Sequence, residues 1–153
     1  MTIYEYWQAF KKANNIEHDN YDAWAFGATK KTSLELGQLV LDGLKTATSS
    51  AYGLYFDEEP IPKVGDYNVI VDYKDNPMAI TKTTKVYTTP YNEVTEAHAF
   101  LEGEGDRTLA YWRSVHQPFF EEDLESVNKK FDETMPVLCE EFELVFPTET
   151  TEA

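Results

Sequence analysis

The run from Tyr67 to Thr89 constrains the fold more than any other part of the chain. Tyr67-Asn68-Val69-Ile70-Val71-Asp72-Tyr73 is rich in β-branched and aromatic residues, which fit a pleated, half-buried strand. Lys74-Asp75-Asn76-Pro77 has turn chemistry, and Met78 to Thr89 is long, rich in Thr and Val, and partly alternating. The two halves read as paired strands, entered through the turn Val64-Gly65-Asp66 and ended by Pro90. A lone hairpin is marginal in water, so other elements must cover it.

Two runs supply further strands: Thr46 to Tyr52, and Pro136 to Phe146, where Phe142, Leu144 and Phe146 alternate. Helical spacing appears over Tyr4–Ala13, with Tyr4, Trp7 and Phe10 on one face widened by Ile3 and Tyr6. It returns over Thr32–Gly43, where Leu34, Leu36, Leu39, Val40 and Leu41 form a broad apolar face, Thr32 or Ser33 can cap the start, and Gly43 marks the stop. Two short helices are expected at Glu93–Phe100 and Thr108–His116, the latter with Leu109, Trp112 and Val115 on one face, and Phe119–Phe131 reads as helical or partly so. Tyr21 to Gly27 is a short aromatic segment expected to pack on the main body, and Asp57 to Pro62 a loop. Helices interleaved with hairpin-spaced strands predict an α+β fold: a mixed or antiparallel sheet, closed or partly closed, with helices at its ends. The expected organisation is one domain over residues 1–147, with an N-terminal helical extension at 1–30 and a flexible tail at 148–153.

Charge narrows the partners. The chain carries 13 basic and 28 acidic residues, a formal net of −15, which repels a polyphosphate because non-specific nucleic-acid affinity comes from Lys and Arg. A nucleoside-sized ligand meets little of that repulsion. Cys139 is the single cysteine, so no internal disulfide forms and a reducing, cytoplasmic setting is expected. No apolar run reaches the roughly 20 residues of a membrane helix, and the N-terminus lacks a signal-peptide pattern, so no membrane association is expected. Neither zinc spacing nor a calcium loop is present, and no metal or other cofactor is expected. Nothing in the sequence fixes the oligomeric state.

Several segments together resemble one family. Gly43-Leu44-Lys45-Thr46-Ala47-Thr48 resembles the G-x-K-T-x-T segment of ASCH domains, and Lys63-Val64-Gly65-Asp66 the K-x-G-D turn before their core strand. The stretch Glu102-Gly103-Glu104-Gly105-Asp106-Arg107-Thr108-Leu109-Ala110-Tyr111-Trp112-Arg113 is similar to the E-G-E-G-D-x-S/T-L-x-x-W-R segment. Met135 to Phe142 resembles the closing strand, and Trp24-Phe26-Gly27 the W-x-F-G of a larger bacterial branch. The resemblance implies a PUA-like fold, a small β-barrel or curved mixed sheet with helices flanking a cleft, and nucleic-acid-related ligands. One branch hydrolyses the acetyl amide of N4-acetylcytidine, and another member is described as a ribonuclease.

In the acetylcytidine branch a lysine, a threonine three positions on and a distant glutamate carry the reaction, and Lys45, Thr48 and Glu102 match them, with Glu104 a close rival for the acid. An amidohydrolase without a metal needs a nucleophile, a base and a group that orients or stabilises charge. Thr48 offers the hydroxyl; Lys45 could act as base if its surroundings lower its proton affinity; Glu102 could hold the lysine, accept hydrogen bonds from an exocyclic amine or shuttle a proton. Thr46, Ser50, Glu104 and Trp112 are the candidate ligand-binding residues, and Ser50 stands where that branch has an arginine. Each has an ordinary reading too. Lys45 suits a helix C-terminus, Thr46 and Thr48 suit a strand, Trp112 suits a core, and the acidic run can be a solvated loop whose Asp106 caps the next helix. His98 and His116 are expected at the surface or satisfied locally. The expected function is metal-independent amide hydrolysis on a modified nucleoside such as N4-acetylcytidine. The alternatives are a non-catalytic module binding single-stranded RNA or a modified nucleotide, and a ribonuclease.

Overall fold

The computed structural model describes residues 1–27, 29–54 and 61–147, so the expected tail at 148–153 and most of the expected loop at Asp57–Pro62 lie outside the described residues. In chain order the elements are α1 (Ile3–Asn14), β1 (Asp22–Trp24), α2 (Lys30–Leu41), β2 (Ala47–Ala51), β3 (Tyr67–Val71), β4 (Pro77–Pro90), α3 (Glu96–Glu102), α4 (Leu109–Glu125) and β5 (Pro136–Phe146). The five strands form one sheet in the order β1-β3-β4-β5-β2, curled into a half-barrel. β3–β4, β4–β5 and β2–β5 pair antiparallel, while β1 pairs parallel to β3. The predicted hairpin is β3–β4. The aromatic segment after α1 contributes an edge strand that three residues of sequence do not announce.

Register shifts in β4, at Ile80/Thr81 and Thr83/Lys85, bend the long central strand. The curl brings the sheet's two edges together: Trp24 of β1 and Thr48 of β2 line one cavity although three strands separate them.

Helices cover the sheet through three apolar clusters. Trp7 and Phe10 of α1 pack on Val69, Val71 and Ile80. Val40 of α2 joins Phe26, Ile70, Ala79 and Phe142. Trp112, Phe120 and Leu124 of α4 meet Ala51, Val137 and Cys139. α4 runs through Pro118, where the sequence suggested a break between two helices. An interior proline costs a helix about 3 kcal/mol. The stripe Trp112, His116, Phe120 and Leu124, buried along one face from end to end, keeps the helix continuous across it. Val115, expected on the buried face, is instead exposed.

Two caps differ from expectation. Thr29, not Thr32 or Ser33, is the N-cap of α2, with Thr32 reaching back to it in a reciprocal pair. Thr108, not Asp106, caps α4, and Asp106 accepts from the Thr108 amide and hydroxyl. The stop at Gly43 is as read: φ is +77°, Leu44 N–H bonds Leu39 C=O, and Gly43 N–H bonds Val40 C=O. This closure ends α2 tightly: Leu44 stays exposed and the residue after it, Lys45, is buried.

Candidate functional site

Lys45 leaves the end of α2 and is 1% exposed. Glu102 is the last residue of α3 and also 1% exposed. Gly103 permits their approach. Its φ is +73°, and a Cβ there would run into the Leu44 carbonyl oxygen. The same junction is tied by Thr46 N–H donating to Leu101 C=O at 2.7 Å. The first glycine of the acidic run therefore docks the end of α3 against the backbone that carries Lys45.

The ammonium of Lys45 meets four oxygens: Glu104 Oε2 at 2.8 Å, Ala47 O at 3.0 Å, Glu102 Oε1 at 3.3 Å and Glu102 O at 3.4 Å. Phe26 lies beneath it, 5.1 Å from ring centroid to Nζ. Both glutamates that competed for the acidic role thus bind the same lysine, Glu102 buried and Glu104 partly open, at 16% side-chain exposure.

Glu102 anchors more than the lysine. Its Oε2 accepts from Ser49 Oγ at 2.5 Å and Trp112 Nε1 at 2.6 Å, and lies 2.9 Å from His98 Nε2. His116 Nε2 lies 3.5 Å from Oε1. Burial pushes the Glu102 carboxyl up, but Lys45 and the hydrogen bonds of His116 and His98 outweigh it and hold the group well below the usual carboxylate range. For His98, burial works against the imidazolium; hydrogen bonds with Cys139 and Glu102 and the Glu102 charge prevail, raising its pKa to about 9. The result is a buried carboxylate ringed by donors, with almost no capacity left for another proton.

The lysine and the glutamates face a cavity of about 460 Å³ walled by Leu36, Leu39, Tyr111 and Phe119. A second cavity of about 490 Å³ adjoins it on the β1 side. Phe26, Gly27, Thr48, Ser49 and Phe119 line both and form the waist between them. Thr48 thus stands between the Lys45 side and the β1 side, and Ser50 lines the β1 side. Thr46 and Trp112 line neither. Trp112 is buried, donates to Glu102 and stacks on His116 at 4.3 Å and 14°, so it braces the acid and presents no face to a ligand.

Three polar residues of this centre were not among the site residues expected from the sequence. Ser49 is 8% exposed and lies 2.7 Å from His98 Nε2 as well as on Glu102. Of the two expectations for His98 and His116, the structure gives the second: both are buried and satisfied locally, each in contact with Glu102. The signal for His98 was its place four residues before Glu102, one helical turn away.

The family model of the ASCH domain matches residues 22–146. The crystal structure of an ASCH domain from Lactobacillus crispatus JV V101 superposes with a TM-score of 0.87 at 28% identity, covering 93% of this chain and 92% of that one. A protein of Enterococcus faecalis V583 superposes with a TM-score of 0.87 at 35% identity, over 99% of this chain and 98% of that one. No curated protein matches.

Proposed function

The chain belongs to the ASCH domain family, and from that premise we propose that its cleft binds a modified nucleoside and hydrolyses an acyl amide on it, as in N4-acetylcytidine. One observation carries the reading: Lys45 and Glu102, 57 residues apart, form a buried ion pair in the wall of a cavity that Thr48 also lines. In this reading the Thr48 hydroxyl attacks the amide carbonyl, the C–N bond breaks, and the amine leaves with a proton. Water then hydrolyses the threonine ester to free carboxylate. Glu104, the partly open acid of the cluster, takes and returns the proton. Lys45, surrounded by oxygens, supplies positive charge to the developing oxyanion instead of acting as the base. Glu102, its oxygens occupied, fixes the lysine in place. A metal has no part in the scheme because the two carboxylates converge on an ammonium.

The second reading, a binding module for single-stranded RNA or a modified nucleotide, draws on that same saturation of Glu102. A ribonuclease reading finds both candidate histidines buried against the carboxylate. Incubating the protein with N4-acetylcytidine and other N-acylated nucleosides in the presence of a chelator, with chromatographic detection of the free amine, separates them. Hydrolysis that survives chelation and falls by orders of magnitude in Thr48→Ala with little change in ligand affinity supports the reaction. Binding without turnover supports the module, and full turnover by Thr48→Ala removes the covalent route.

A further inference from the structure

The cavity on the β1 side holds a buried acid that the proposed reaction does not use. Glu140 of β5 is 7% exposed and lines this cavity. Its Oε2 accepts from the Thr83 hydroxyl at 2.6 Å, and among the described residues no Lys, Arg or His pairs with it. The contrast with Glu102 is sharp: both carboxyls are buried, but one is ringed by an ammonium and ring N–H groups while the other has, among the described residues, one hydroxyl. Burial pushes the Glu140 carboxyl up, the Thr83 hydrogen bond opposes this, and the nearby Asp66 adds to the rise. An acid buried without a cation is costly, and such groups concentrate where a ligand completes them.

The surroundings are built to hold that carboxyl in one orientation. Trp24 Nε1 donates to Asn68 Oδ1 at 2.9 Å, Asn68 Nδ2 to Thr83 Oγ1 at 3.5 Å, and Thr83 to Glu140. Every donor in this chain points toward the acid, so each bond polarises the next. Asp22 and Asp66 also line the cavity, and its described lining contains no basic residue. Thr48 is the register partner of Glu140 across the β2–β5 pair, so the two side chains leave the same face of the sheet side by side. Phe26 and Phe119, shared with the neighbouring cavity, give the waist flat apolar walls.

We infer that the β1-side cavity is a subsite for a nitrogen donor group, the exocyclic amino or amide N–H on a flat ring, which Glu140 accepts while the acidic lining turns phosphate away. The ring is named from the proposed nucleoside reaction, on which this part rests; the preference for a donor group follows from Glu140 and its lining alone. An amide spanning the waist then turns its carbonyl to Lys45 and its nitrogen to Glu140, with Thr48 between them.

Calorimetric titration of the full chain with cytidine, uridine, cytidine 5′-monophosphate and methylguanidine tests this, with Glu140→Met alongside. Cytidine carries the amino donor and uridine an acceptor at the same ring position, so cytidine is expected to bind roughly tenfold or more tightly, since a buried acceptor left unpaired is costly. The 5′-phosphate is expected to weaken binding. Glu140→Met, folded by its melting curve, is expected to equalise the two nucleosides and to lose methylguanidine; if it does not fold, Glu140→Gln, which removes the charge and turns one acceptor oxygen into a donor, is expected to lose the methylguanidine preference. Nucleoside discrimination that persists in Glu140→Met overturns the subsite and leaves the nucleoside reading standing. Methylguanidine binding that depends on Glu140, with no nucleoside bound, keeps the donor subsite and removes the nucleoside reading. Binding of neither class, or a phosphate that tightens binding, overturns the inference.

Discussion

Replacing Lys45 by Met removes the one ammonium that pairs with Glu102 and keeps an unbranched apolar chain of similar volume beside Phe26. A lysine that merely decorates a helix C-terminus is worth about 0.3–1 kcal/mol. Here both partners are 1% exposed, and breaking a buried pair from one side costs on the order of 3–5 kcal/mol because the remaining charge is stranded. At about 2–4 °C per kcal/mol for a domain of this size, the melting temperature should fall by roughly 6–20 °C. The lower part of that range is expected, since Ser49, Trp112 and His98 still donate to the carboxylate. The sign of the pH dependence follows from Glu102. Its folded pKa is depressed, so its stabilisation is present above the unfolded value and is lost as pH falls through the folded one. Without Lys45 the depression shrinks and the acid protonates sooner, so the gap between variant and wild type is widest at neutral pH and closes toward acid. Circular dichroism melts of wild type, Lys45→Met, Glu102→Gln and the double variant at several pH values complete a thermodynamic cycle. A shift under about 2 °C, or a gap that does not change with pH, refutes the buried-pair argument.

Gly103→Ala should destabilise by at least about 1 kcal/mol from its positive φ alone, and by more from the collision with Leu44. Gly43→Ala, with φ +77° and open space around it, is the control, and equal melting shifts in the two variants would show that no close approach is being enforced. The imidazole of His98 is raised from its ordinary 6.5 to about 9, so its stabilisation is complete below the first value and lost as pH rises through the second. His98→Asn should therefore flatten the decline in melting temperature between those limits, and an unchanged slope would show that His98 does not carry the charge.

The fold was readable where a period ran long enough to be counted. The β3–β4 hairpin, α1, α2 and β5 all follow from spacing and turn chemistry. β1 was not, because three residues hold no period and its pairing with β3 depends on a parallel register that only the assembled sheet supplies. The boundary read between His116 and Phe119 failed for the opposite reason, since α4 runs on through Pro118. The local penalty is real, but the stripe from Trp112 to Leu124 buries enough apolar surface to override it.

The site was legible by a different route. Lys45, Thr48 and Glu102 came from resemblance, while their mutual placement came from Gly103, which no periodicity announces. The reading ended the third helix at Phe100 and left Glu102 in a loop; an acid at a helix C-terminus opposes the dipole, and that is a sound local reason to stop early. The helix continues because Lys45, Ser49 and Trp112 neutralise that acid from outside it. With the helix carried two residues further, to Glu102, His98 falls one turn before Glu102 on the same face and the whole centre follows.

Strand parity tells the rest. In β5 the alternation of Phe142 and Leu144 carries Glu140 onto the same face, so the sequence already placed a carboxylate in line with apolar core residues, while the register shift beyond Leu144 turns Phe146 to the α1 side. In β2 the same period of two separates Thr48 from Ser49: the first shares its face with Glu140, the second with Cys139. Adjacent hydroxyls therefore serve opposite sides of one sheet. Both residues line the waist, but the Ser49 hydroxyl is bound into the network of Glu102 and His98, while Thr48 stands beside Glu140. An acid that parity sends inward with no cation in register is a local conflict that folding alone does not resolve, and such a conflict is expected where a site has been built.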